Sequence, residues 1–381
     1  MILLIREAQP IYYFRARFKK MKNAILLFCL LASSIFMQAQ DSLHFNPKTL
    51  LYDGEEKHLS NLKQLTFGGD NAEAYFSFNN KMITFQATNK NWNAPCDQIY
   101  TFNLSDGNMK DEAANLVSTG KGRTTCSYFL SGDTTLLYAS THAGNADCPP
   151  APDKRTDGKY VWAVYSDFDI YITDLKGNIK KQLTNSPGYD AEATVSPDGS
   201  KIVFTSIRSG DLELYTMNVD GNNVKQITTG LGYDGGAFFS PDGKKLVFRA
   251  SRPTTPEEIK DYKDLLKEGL VTPIHMELYT CNIDGTDLVK ITDLPNASWA
   301  PFFHPSGKKI IFASNHKATR GLPFNLFMIG SDGQNIEQIT RDSMFDAFPM
   351  FSPDGKKLIF SSNRNNNGTR ETNLFIADWK D

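Results

Sequence analysis

The chain has 381 residues, 40% hydrophobic, 12% aromatic and 22% charged, with a formal net charge of −2. This is the composition of an ordinary globular protein. With no surplus of Lys and Arg and no basic cluster, nucleic acid is excluded as a partner.

In chain order, the first element reads as an export signal. Lys19, Lys20 and Lys22 surround Met21, an apolar run extends from Ala24 to Phe36, and Met37-Gln38-Ala39 closes it. That is the basic, apolar and small-residue succession of a secretory signal, too short to span a bilayer. Residues 1–20 read as an upstream extension. Cys29 is not expected to carry lipid, because Phe28 stands where a lipidation signal has a small residue. The expected organisation is an extension plus signal peptide over 1–39, a short segment over 40–58, and one domain over 59–381. Removing the first forty residues takes away six Lys/Arg and one Asp/Glu and moves the charge from −2 to −7. The mature chain has no other span-length apolar segment, and a periplasmic or secreted location is expected.

From Leu59 onward the chain repeats itself. The best-defined unit, Gly188 to Gly230, parses as four strands: "AEATV", "KIVFTS", "ELYTMNV" and "VKQIT". Between the first two, Pro197 presets the turn, Asp198 bonds its own backbone and Gly199 takes the left-handed position. The same proline recurs at Pro241, Pro305 and Pro353, at intervals of 44, 64 and 48. A period of about 40–45 residues is that of four-stranded propeller blades. Degenerate units begin at Ala72 and Thr124, making six. The last unit stops after its third strand, "NLFIADWKD", while the fourth-strand pattern stands ahead of the first unit as "LKQLTFGG". The sequence therefore predicts an all-β fold, a six-bladed β-propeller of four-stranded antiparallel blades, in which Lys63–Thr66 completes the last blade and removes the open sheet edges. The longest interval holds an insertion that reads as a helix, with Thr255 as cap, Pro256 at the first position, Glu258 closing a capping box and Gly269 at the exit. Ile259, Tyr262, Leu265 and Leu266 share one side, so this helix is expected to lie over the propeller as a lid.

The phrase "SPDG" followed by a Lys-apolar-apolar-Phe strand, with an "(L/I)(Y/F)" third strand and an "(I/L)T" fourth, resembles the TolB-type, WD40-like propeller repeats of bacterial envelope proteins. The resemblance runs from about Leu59 to the C-terminus. It implies the propeller without the separate domain that TolB carries ahead of it, since only Asp41 to about Ser60 precede the first strand. The propeller is also similar to the non-catalytic half of prolyl-oligopeptidase-type peptidases, but the repeats leave no residues for a hydrolase domain.

Function is sought on the face opposite the uniform "PDG" turns, where the loops diverge. Aligning the first strands on the repeat places Asn71, Thr124, Asp190, Asp234, Ser298 and Asp346 in one column at the channel mouth. Asp70 and Trp299 stand beside it, and Glu73 and Glu192 fall in the next column. Such a ring could take Ca²⁺ or a basic segment of a partner; alternatively each Asp bonds backbone N–H groups of its own connection. Three cysteines share this face, and the reading favours a Cys126–Cys148 disulfide over Cys96–Cys126, with Cys281 a small buried hydrophobe. His142, His275 and His316 sit on the irregular loops and could bind Zn²⁺ or Mn²⁺ if those loops folded inward, as in propeller lyases of acidic oligosaccharides. No nucleophile elbow, P-loop, dinucleotide fingerprint or zincin motif occurs. The expected function is an exported, non-enzymatic, monomeric scaffold binding an envelope protein or peptide; the alternative is a metal-dependent glycan lyase or hydrolase.

Overall fold

Six four-stranded antiparallel sheets, one per repeat, make up the computed structural model, which describes residues 44–110, 114–319 and 321–381. The expected signal segment and Cys29 lie outside the described residues. Blade three shows why the repeat folds as it does. Its strands are Asp190–Val195, Lys201–Ser206, Glu213–Asn218 and Lys225–Gln226. At the first corner Gly199 donates to the Ser196 carbonyl (2.8 Å) with φ 72°, the Ser196 hydroxyl bonds Asp198 (2.6 Å), and Lys201 N donates back to that hydroxyl (2.9 Å). The six residues Ser196–Lys201 thus bond one another across the corner, so it can be reused.

The second strands carry the core. Phe85, Tyr138, Phe204, Phe248, Phe312 and Phe360 occupy one column and are all fully buried. Each packs on an aromatic of the adjacent third strand, from Phe85 on Tyr100 at 5.9 Å to Tyr138 on Tyr171 at 6.3 Å. Burying one such ring contributes about 1.5–3 kcal/mol, which accounts for the repetition of Phe.

Closure is as the sequence predicts. The strand Leu59–Gln64 pairs antiparallel with Asn373–Trp379, Gln64 opposite Phe375 and Lys63 opposite Ile376, and Leu65 N donates to the Leu374 carbonyl at 2.8 Å. The segment before it is tied to the same blade. Phe45–Asn46 pairs with Leu51–Tyr52, and the following turn sends Glu55 onto Arg364 Nη1 and Nη2 (2.9 and 3.1 Å), and the same Nη2 also donates to Asp346 at 2.8 Å.

The insertion in blade four forms helix α1, Pro256–Lys267, with the predicted capping box of Thr255 and Glu258 in place. Tyr262 and Leu265 are buried beneath it. The helix does not stand alone. Leu270–Val271, just after it, pairs with Trp162–Ala163 from the long loop of blade two, and Arg155 and Lys159 of that loop bond Glu268 and Asp261. Two insertions, from blades two and four, thus join into one strap on the loop-rich face.

Candidate functional site

Every first strand breaks register at the same place: after Ala72, Thr125, Ala191, Gly235, Trp299 and Ala347. At the break stands one residue with left-handed backbone: Glu73 (φ 53°), Cys126 (46°), Glu192 (58°), Gly236 (59°), Ala300 (46°) and Phe348 (53°). A bulge re-aims its side chain, and here all six residues line one cavity of about 530 Å³. Five carry a Cβ in a conformation that costs on the order of 1–2 kcal/mol each, so the closed ring holds a local strain in register around the channel. Trp162 and Val271 of the strap, with Tyr165, Trp299 and Phe345, form the upper wall. Trp299 is fixed by stacking on Phe324 at 4.1 Å and by its indole N–H donating to the Pro273 carbonyl at 3.0 Å.

The floor is polar. Glu192 accepts from Arg249 Nη2 (2.5 Å), the Tyr233 hydroxyl (2.5 Å), the Thr205 hydroxyl (2.8 Å) and Gly236 N (2.8 Å). Burial works to raise the pKa of Glu192, but the Arg249 charge and these hydrogen bonds together hold it below the ordinary value. Arg249 is itself 7% exposed and lies over Trp162 and Tyr233, with guanidinium to ring-centroid distances of 5.5 and 5.0 Å. Gly236 makes this possible, since a Cβ there would come 1.9 Å from Arg249 Nη1. Glu73 has no such partner. It accepts from the Cys126 thiol (2.9 Å) and the Tyr75 hydroxyl (3.4 Å), and burial pushes its pKa up to about 7. The Cys126 thiol is driven well above its usual range by burial and by Glu73 and Glu192. Asp70 at the rim is raised too, by burial and by the charges of Asp97 and Glu371.

Of the residues singled out in the sequence, Asp70, Glu73, Glu192 and Trp299 do line the cavity. The carboxylate column behaves otherwise. Asp190 takes Arg208 (2.9 Å to each oxygen), Asp234 takes Arg252 and Asp346 takes Arg364, in each case an arginine eighteen residues on in the same blade. These aspartates are buried in their blades and form no open ring for Ca²⁺ or for a basic segment. The alternative of backbone capping is corrected as well, since the partner is a guanidinium.

At the same spacing the other blades place Asn89, His142 and His316 after Asn71, Thr124 and Ser298. His142 rests on Tyr171 at 4.5 Å and bonds Ser140; His316 rests on Phe327 at 4.4 Å and bonds Ser314, just as Arg208 covers Phe204 and Tyr215 and bonds Ser206. Burial lowers the pKa of both histidines. They are therefore the neutral counterparts of the arginines, and His275, on an exposed turn with φ 54°, joins neither. Among the described residues no three His, Cys, Asp or Glu side chains are placed to hold a metal.

The disulfide also differs from expectation. Cys148 pairs with Cys96, not with Cys126, so the long loop of blade two is fastened to blade one, while Cys126 and Cys281 are free thiols. Cys126 points into the channel because of its bulge, a direction the alternation of a regular strand does not give. Sequence reasoning missed Arg249, Tyr233 and Trp162. Arg249 did leave a signal: the position after the repeated aromatic reads Gln86, Ala139, Thr205, Arg249, Ala313 and Ser361, and a lone Arg in that column marks a departure from scaffold.

Fold and site together define a six-bladed propeller with a ligand-sized hollow at its loop-rich face. The family model of the TolB beta propeller domain matches residues 146–263. Among solved structures, a putative TolB from Agrobacterium tumefaciens is similar at 20% identity and a TM-score of 0.52, covering 82% of this chain and 91% of that one. An oligogalacturonate lyase in complex with manganese (13%, TM-score 0.51, coverage 89% and 96%) is similar to the same degree. So is the oligogalacturonate lyase from Vibrio parahaemolyticus (12%, TM-score 0.50, coverage 88% and 96%). At these identities the likeness is one of fold.

Proposed function

We propose that the protein is an exported, non-enzymatic scaffold of the cell envelope that binds a protein or peptide partner through the cavity at its loop-rich face. The observation that carries this reading is the convergence of all six bulge residues on one hollow, roofed by a strap that two blades build jointly. A recurring scaffold feature gives six positions at one level, filled by five residue types, which is how a repeat fold makes a specific site. The Cys96–Cys148 disulfide supports an oxidising compartment. His142 and His316 each stack on an aromatic ring of their own blade, which favours the scaffold reading over the metal-dependent one.

A photo-crosslinking residue at Tyr160, which is 65% exposed and lines the cavity, tests this. In cells it should trap a discrete envelope partner, while the same residue at Lys244 on the turn face should not. Equal trapping at both positions, or none at Tyr160, would count against the cavity as the binding site.

A further inference from the structure

The cavity is unevenly charged. Its walls hold four carboxylates, Asp70, Glu73, Asp97 and Glu192, and two arginines, Arg123 and Arg249. Arg123 is bound to Asp97 at 2.5 Å and Arg249 to Glu192 at 2.5 Å. Among the described residues lining the cavity, this leaves Asp70 and Glu73 without a cation. A hollow with uncompensated carboxylates and aromatic walls favours a positively charged guest.

A second observation narrows the guest. Arg249 gives Nη2 to Glu192 and Tyr233, yet its Nε is buried with no hydrogen-bond partner. A buried N–H without an acceptor is an unfilled position. A ligand carboxylate would add negative charge to walls that are already acidic, so the acceptor that suits Arg249 is neutral, such as a carbonyl.

A third observation concerns the shape. Below the cavity Tyr75, Tyr128 and Phe238 pack on one another at 5.5 to 6.3 Å, between this hollow and the apolar one on the turn face. A chain cannot thread past three mutually packed rings, so the hollow admits a chain end.

We infer that the cavity binds the amino terminus of a peptide, with the α-ammonium on Glu73 and the adjacent carbonyl on the guanidinium of Arg249. This rests on the reading of the cavity as a peptide-binding site and specifies what that site recognises. The first side chain lies against Trp162, Trp299 and Phe348. Binding draws Glu73 into its carboxylate form, opposed by Glu192 and Asp97 and assisted by Arg249 and the Cys126 hydrogen bond, which are the groups that face it with Tyr75. Affinity therefore rises with pH through about 7 and falls again as the ligand amine loses its proton near about 8.

The test uses the purified full chain and an equimolar pool of tripeptide amides, Xaa-Ala-Ala, against the same pool Nα-acetylated, read by native mass spectrometry. The free-amine pool should be retained at least about ten-fold better at pH 7.5, and lowering the pH to 6 should cut its affinity by up to about ten-fold per unit. Glu73→Gln, which removes no ion pair and a charge that burial disfavours, should abolish the preference without lowering thermal stability. Equal retention of both pools, tighter retention of the acetylated pool, or no retention of either overturns the inference. If crosslinking at Tyr160 still traps a partner while acetylation has no effect, the scaffold reading stands and the recognition of an amino terminus alone fails.

Discussion

Replacing Arg364 by Met tests how the ring is held closed. Arg364 is wholly buried, and so are both carboxylates it joins, Glu55 from the N-terminal segment and Asp346 from the last blade. Methionine keeps much of the apolar volume but strands two buried anions. Each must then remain charged at low dielectric or take up a proton. Protonation at pH 7 against an ordinary carboxyl pKa near about 4 costs roughly 4 kcal/mol per group, at about 1.36 kcal/mol per unit. Two groups set a ceiling of about 8 kcal/mol, and relaxation brings broken buried pairs to about 3–5 kcal/mol. R364M should therefore lose about 3–5 kcal/mol in urea unfolding at pH 7. Lys357→Met, whose partner Asp378 is 40% exposed, should lose under about 1 kcal/mol. Burial already raises the pKa of Glu55 in the intact protein. In R364M the Arg364 charge that holds Glu55 down is gone, so its folded-state pKa stands further above the unfolded value, the folded state holds more protons and stability falls as pH rises. The deficit should shrink between pH 7 and pH 5, and the triple variant E55Q/D346N/R364M should recover most of it. A loss under 1 kcal/mol, or a deficit equal at both pH values, would refute the buried-charge argument.

Three further outcomes follow from other parts of the fold. Gly236→Ala places a Cβ 1.9 Å from Arg249 Nη1 at φ 59° and should cost about 1–3 kcal/mol, visible as a lower melting temperature. Removing the Cys96–Cys148 bond as C96S/C148S opens a loop with a separation of 52 residues, for which chain entropy gives a loss of up to about 4 kcal/mol. Limited proteolysis of that variant should cut first between 149 and 160, and cleavage elsewhere would remove the loop as the part it secures. Thr255→Ala deletes one half of the α1 capping box and should cost about 1 kcal/mol locally, read as faster amide exchange over Pro256–Lys267 with the blades unchanged.

The scaffold was legible because it is self-contained. Ser-Pro-Asp-Gly satisfies its own hydrogen bonds, the Phe column fills the same space in each blade, and a fourth strand missing at one end was present at the other. Glu73 and Glu192 were found because alignment on the repeat gives position around the channel. What alignment does not give is the partner of a side chain. Asp190, Asp234 and Asp346 looked like an open ring because each arginine lies eighteen residues later, past the second strand, in a stretch read as divergent loop. The pairing is nonetheless written in the repeats: Arg follows where the column is Asp, His where it is Thr or Ser, and Asn where it is Asn. The disulfide was not legible, since Cys96, Cys126 and Cys148 all approach one face and the bulge that turns Cys126 into the channel has no residue signature of its own.

The bulge ring also explains how a six-fold scaffold yields a one-sided site. Blades one to three send Glu73, Cys126 and Glu192 into the hollow, and blades four to six send Gly236, Ala300 and Phe348. Backbone geometry is common to all six, so the asymmetry lies entirely in side-chain identity. One half-circle is polar and hydrogen-bonded, and the other is small or apolar. Gly236 is the hinge between them, because its missing Cβ lets Arg249 reach across to Glu192 and fix that carboxylate in its charged form. Glu73, across the channel and hydrogen-bonded only to Cys126 and Tyr75, is then the carboxyl left to answer to a ligand. A guest that lies with a cationic end toward blade one and an apolar flank toward blades five and six satisfies both halves at once.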